Sequence, residues 1–124
     1  MKIQLERPPG VNRIRAYAPG HITVNQEIYT ASVLVTPERV TDWAPQMFAH
    51  LSEPHFRALA ALHPEVVLLG TGARLCFPPP ALTRALPESG IGFEVMDTGA
   101  ACRTYNILVA EGRRVLAALL MIER

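Results

Sequence analysis

Val66-Val67-Leu68-Leu69 is the stretch on which the fold turns. These four aliphatic residues lie between Pro64 and Gly70-Thr71-Gly72 and offer no polar side chain to a wet face, so they read as a strand buried on both faces. Such a strand needs a covering layer above and below it, and the flanking sequence supplies helices. Upstream, Phe56, Leu59, Ala60 and His63 recur at helical spacing behind Ser52, a residue type that caps helix starts, and Pro64 ends the run. Downstream, Pro78-Pro79-Pro80 opens a short helix carrying Leu82 and Leu86 at i and i+4 until Pro87, and Ser89-Gly90 turns the chain. Ile91, Phe93 and Val95 then alternate as in a strand. Asp97 or Thr98 caps a further helix with Ala101, Thr104, Tyr105 and Leu108 along one face, and Gly112 stands at its C-terminal stop. Val115 to Ile122 is a second fully apolar strand. Strand, helix, strand, helix, strand in this order predicts an α/β fold, a sheet covered by helices.

The first half of the chain is strand-like. From Ile14 to Thr36, Ile22, Val24, Ile28, Tyr29, Val33, Leu34 and Val35 are residues that favour a pleated surface, and Asn25-Gln26 falls where a hairpin turn fits. Glutamine is a poor second centre for a two-residue turn with positive φ at both positions, so a longer turn is expected there. This N-terminal β-hairpin either extends the sheet or forms an extra layer. Residues 37–51, with Pro37, Trp43 and Pro45, show no clear periodicity and read as an ordered connection. Pro8-Pro9-Gly10 suits an extended arm. At 124 residues the whole reads as one domain: an arm over 1–12, a hairpin region over 14–36 and an α/β region over 52–122.

Composition narrows the function classes. An apolar fraction of 49% with 19% charged residues is that of a folding globular chain. Net charge is +1 and no more than two basic residues adjoin, which leaves no electrostatic footprint for nucleic acid. Met1-Lys2-Ile3-Gln4-Leu5-Glu6-Arg7 has no apolar stretch of the signal-peptide kind and Val115 to Ile122 is too short to cross a bilayer, so a soluble cytoplasmic protein without membrane insertion is expected. Cys76 and Cys102 form neither a Cys-x-x-Cys pair nor a group with histidines, which points to reduced thiols and no zinc site. His21, His50, His55 and His63 lack metal-ligand spacing.

A set of short stretches, each weak alone, is specific in combination: Ile22-Thr23-Val24-Asn25, Ser32-Val33-Leu34-Val35, Gly70-Thr71-Gly72, Gly90-Ile91, Glu94-Val95-Met96-Asp97-Thr98, and Ala101-Cys102-Arg103-Thr104-Tyr105-Asn106-Ile107-Leu108 followed by Glu111-Gly112-Arg113. Through them the chain, from about Ile22 to Leu120, resembles the domain family of mitochondrial complex I assembly factor three. The resemblance implies a three-layer α/β arrangement around a mixed sheet in which one strand runs antiparallel to the rest. It carries over no enzymatic activity or cofactor. The eukaryotic branch of that family helps to assemble a respiratory complex, which implies an accessory or assembly-factor-like role through a protein partner. Relatives often have glycine where Gln26 stands, a departure that concerns only the turn.

The residues themselves leave one alternative, a small-ligand or anion-binding crevice. Gly70-Thr71-Gly72 lies where a strand ends, and successive small residues free backbone N–H groups to cradle an anion, with Arg74 adding charge. The plainer reading is that the glycines permit a turn and a close approach, since a side chain directly after the apolar strand would meet positive φ or the neighbouring helix. Asp97-Thr98 ends a second strand, so both loops would open at one sheet edge, where α/β folds bind ligands. There Asp97 is a base or acceptor in one reading and a helix cap in the other, favoured one. Cys102 beside Arg103 has no histidine near it in sequence and reads as an inert buried thiol. Tyr105 and Asn106 either line the crevice or pack and bond neighbouring backbone. No nucleophile and base stand together as a catalytic site, and no metal or cofactor is implied.

Overall fold

The computed structural model describes residues 10–124 and divides them into two sheets and four helices. Of the arm expected over 1–12, residues 1–9 lie outside the described residues. The first sheet is β1 (Ile14–Ala18), β2 (His21–Val24) and β3 (Glu27–Tyr29), antiparallel in sequence order. Pro19-Gly20 joins β1 to β2, and Val24 pairs with Glu27 across a turn of Asn25 and Gln26 alone. The longer turn expected there is not needed. Only Asn25 takes a positive φ, +56°, so Gln26 never enters the left-handed region; these are the φ signs of a type II′ rather than a type I′ turn.

The remainder builds β4 (Val33–Val35), β5 (Val40–Asp42), α1 (Glu53–Ala60), β6 (Val66–Gly70), α2 (Pro80–Thr83), α3 (Ala85–Glu88), β7 (Gly92–Met96), α4 (Thr98–Ala110) and β8 (Val115–Leu119). The five strands lie in the order β5-β4-β8-β6-β7. β6 is parallel to both β7 and β8, while β4 is antiparallel to β8 and to β5. Among the described strands of this sheet β4 alone is reversed, as the resemblance implies. The N-terminal strands do not extend the sheet but form a separate small sheet that packs over one of its faces.

Period-2 alternation along β6 and β8 distributes the core over two faces. On one face Val67, Leu69, Leu116 and Ala118 meet Phe56 and Leu59 of α1, Leu86 of α3 and Trp43. On the other, Val66, Leu68, Ala117 and Leu119 meet Ala101, Cys102, Tyr105 and Val109 of α4 together with Ile14, Ile22 and Val24 of the small sheet. Each large aliphatic side chain so covered contributes about 1.5–3 kcal/mol. The result is three layers: α1 to α3, the mixed sheet, and α4 beside the small sheet.

Three local expectations are corrected. Residues 37–51 contain an edge strand, β5, and a single 3₁₀ turn at Phe48–His50; β5 is short and polar, and pairs because β4 presents it a free edge. α1 ends at Ala60, not at His63: Pro64 bars His63 from right-handed helical backbone, and His63 takes φ +56° instead. Leu82 and Leu86 fall on two one-turn helices, and Pro87 lies inside the second, in the first turn where its missing N–H has no partner to lose.

Candidate functional site

The loops after β6 and β7 run side by side at the carboxyl edge of the large sheet, and they hold each other. Thr71 N–H donates to Met96 O at 2.9 Å, Thr98 N–H donates to Gly72 O at 2.9 Å, and Gly72 N–H donates to Thr98 Oγ1 at 2.8 Å. The end of β8 joins them: Leu120 N–H donates to Gly70 O at 3.0 Å and Thr98 Oγ1 donates to Leu120 O at 2.7 Å. Thr98 is fully buried, so its hydroxyl is the joint between three chain segments. Asp97 is the N-cap of α4, its Oδ1 accepting from Ala100 N–H at 2.9 Å, and Thr98 is the first helical residue.

The N–H groups of Thr71, Gly72 and Ala73, which an anion would use, are already engaged by other parts of the chain. Thr71 Oγ1 accepts from Cys76 N–H at 3.2 Å and donates to Arg74 O at 2.6 Å. Ala73 N–H donates to the Glu123 carboxylate at 2.8 Å, so the anion at this turn is the chain's own. Gly72 holds φ +99°, and a Cβ there would come within 2.5 Å of Glu123 Oε1. At Gly70 a Cβ would lie 3.0 Å from the Thr98 backbone, which explains the close approach of β6 to α4. Arg74 is exposed, and its guanidinium forms no ion pair among the described residues.

The other three candidates point elsewhere. Cys102 is 0% exposed, in the core, and burial pushes its thiol from 9.0 up to about 12 against the lowering influence of Arg103, with Asp97 raising it further. Burial also raises the Tyr105 phenol above 10.0, with Glu38 adding to the rise, and its hydroxyl donates to Asn12 O at 2.9 Å. Asn106 brackets Ile14: its Oδ1 accepts from Ile14 N–H at 2.9 Å and its Nδ2 donates to Ile14 O at 2.7 Å. It thereby pairs the outer edge of β1, beside a register shift between Ile14 and Ala16, as a neighbouring strand would. The fold therefore brings Gly70, Thr71, Gly72, Asp97 and Thr98 together, leaves Arg74 at the surface, and turns Cys102, Tyr105 and Asn106 toward the core and β1. Glu123 and Leu120, which complete the junction, were not singled out from the sequence; nothing local marks them.

Among the described residues, three cavities lie elsewhere, and none of the three is lined by these nine residues. One of 250 Å³ sits at the opposite, amino-terminal edge of the large sheet among Pro37, Arg39, His63, Arg114 and Leu116. One of 720 Å³ is an open depression beside Asn12, Asn25, Glu27 and Tyr29, and one of 290 Å³ lies between α1 and α3. Among the described residues no group of three His, Cys, Asp or Glu is placed to hold a metal, and no helix is long and apolar enough to cross a membrane.

Comparison with known proteins places this architecture. The crystal structure of a Bordetella parapertussis protein superposes with a TM-score of 0.86 at 43% identity, covering 93% of this chain and 99% of that one. The bovine protein named NADH dehydrogenase [ubiquinone] 1 alpha subcomplex assembly factor 3 is 34% identical over 86% of this chain and 59% of its own, so the present chain spans about three fifths of that relative. A protein of Francisella tularensis subsp. holarctica named 13 kDa major membrane protein is 26% identical over 93% of this chain and 95% of its own. The model of the family described as Protein of unknown function (DUF498/DUF598) matches residues 14–120. With that match spanning both sheets and all four helices, the chain belongs to this family, the one that also contains the complex I assembly factors its sequence resembles.

Proposed function

We propose that this protein is a non-enzymatic accessory factor of the assembly-factor kind that works through contacts with another protein. The observation that carries the reading is the kinship with proteins named as assembly factors across most of this chain. The chemistry-bearing residues at the sheet edge support it, because their polar groups are engaged in joining chain segments. A contact surface is available in the same loop: Leu75 is 51% and Phe77 71% exposed, apolar area of the kind that partners cover. The working compartment in this reading is the cytoplasm; the membrane-protein name of the Francisella relative makes fractionation of the native host a direct check. Affinity capture from that host, at several salt concentrations, tests the function. A partner retained by the natural chain and lost with Phe77→Ser supports it; recovery of nothing above background refutes it.

The second reading is a small-ligand crevice between Gly70–Gly72, with Arg74, and Asp97–Asn106. In its favour, the two loops lie side by side at one sheet edge. A thermal-shift screen over nucleotides, phosphates and carboxylates separates the two, since a ligand at about a hundred times its dissociation constant stabilises by about 2.7 kcal/mol. No movement with any compound removes this reading.

A further inference from the structure

We propose that the 250 Å³ cavity at the amino-terminal edge of the large sheet is a binding site for a small monocarboxylate with an apolar body. Three separate segments form it: the β4–β5 turn with Thr36, Pro37, Glu38 and Arg39, the turn after α1 with Leu62, His63 and Pro64, and the start of β8 with Arg114, Val115 and Leu116. Val115 and Leu116 are buried and, with Pro37 and Pro64, give an apolar lining. An engineered apolar cavity of about 150 Å³ takes a benzene ring, so this one has room for about ten non-hydrogen atoms.

The charges around that lining define the ligand. Arg113, next in sequence, is paired with Glu65 at 2.6 Å, whereas Arg39 and Arg114 are in no ion pair among the described residues. The Arg114 guanidinium is instead held to the rim, donating to His63 O at 3.3 Å. Two guanidiniums against the single carboxylate of Glu38 leave one positive charge in the wall. A monoanion balances that charge; a dianion would face Glu38 uncompensated. The framework is set before any ligand arrives: Arg39 N–H donates to Thr36 Oγ1 at 3.0 Å, Thr36 N–H to Arg39 O at 2.9 Å, and Glu65 N–H to Arg114 O at 2.8 Å. At the rim His63 holds φ +56°, the turn that Pro64 imposes after α1, which fixes where its carbonyl meets Arg114. This site is at the opposite edge of the sheet from the Gly70 and Asp97 loops and is independent of both functional readings above.

Titration of the isotope-labelled chain with isocaproate, its neutral amide and inorganic phosphate, followed by amide NMR, tests the proposal. Isocaproate is expected to give saturable shifts confined to the amides of Glu38, Arg39, His63 and Arg114 to Leu116. Arg39→Gln with Arg114→Gln is expected to weaken binding by about tenfold or more. Both side chains are exposed, so an unchanged urea midpoint is the control for folding, and Arg39→Gln alone serves if the double variant is destabilised. Absence of saturable shifts at those amides overturns the proposal, as does unchanged affinity in the variant that folds. Equal binding of the amide reduces the site to an apolar hole, and equal binding of phosphate reduces it to general attraction of anions; either result overturns it too.

Discussion

Replacing Thr98 by valine keeps the volume and the branch at Cβ and removes one hydroxyl. That hydroxyl accepts from Gly72 N–H at 2.8 Å and donates to Leu120 O at 2.7 Å, and the residue is fully buried. Water has no route to either backbone group, so both are left without a partner. Each orphaned buried group costs about 1–3 kcal/mol, which puts the loss at about 2–6 kcal/mol out of the roughly 5–15 kcal/mol that holds a domain of this kind. Urea unfolding of the purified chain reads this directly. With a slope of about 1.5 kcal/mol per molar, a loss near 3 kcal/mol moves the midpoint down by about 2 M at unchanged slope. Thr98→Ser retains the hydroxyl and loses a methyl, so a cost of about 1 kcal/mol is expected. A valine variant within about 0.5 kcal/mol of the natural chain would refute the junction, because it would mean that neither backbone group depends on the hydroxyl.

Asp97→Asn should leave the midpoint nearly unchanged, since asparagine caps as well as aspartate; loss of partner capture or ligand binding in this stable variant would make the carboxylate functional. Gly72→Ala should cost about 1 kcal/mol or more, chiefly through its φ of +99°, because Glu123, which a Cβ would meet first, can swing away. Stability should fall as the pH rises above 9: the unfolded Cys102 thiol then ionises while the native one, held at about 12, stays protonated, so the unfolded state binds fewer protons at a loss of about 1.4 kcal/mol per pH unit. Cys102→Ala should remove that slope between about pH 9 and pH 10, above which the raised Tyr105 phenol adds a slope of its own, as a pH series of urea midpoints will show. Mass spectrometry of unreduced native protein should find both thiols free, and alkylation should reach half-buried Cys76 long before Cys102; a quantitative intramolecular disulfide would contradict this placement of the two segments.

Much of the α/β region was legible because its signals are local. Val66-Val67-Leu68-Leu69 and Val115 to Ile122 announce strands with two dry faces, although the second pairs only as far as Leu119; Ser52 and the Asp97-Thr98 pair announce helix starts, and the glycines at 70 and 72 announce a turn under tight packing, all from residues within a few positions of one another. The same locality misled at Leu82 and Leu86, whose helical spacing is real but is divided between two single turns. What only the tertiary structure decided is which partner each polar group receives. Asn106 closes the edge of β1 across 92 positions and Glu123 reaches Ala73 across 50, and no pattern around either residue distinguishes a structural hydrogen bond from one awaiting a ligand. Val40–Asp42 becomes a strand because β4 leaves an open edge beside it, and the cavity between Arg39, His63 and Arg114 exists because sheet pairing brings together three turns distant in sequence. Periodicity and turn chemistry act between neighbours along the chain and so can be read from it. Hydrogen-bond partners and cavities are set by elements that meet only when the sheet assembles.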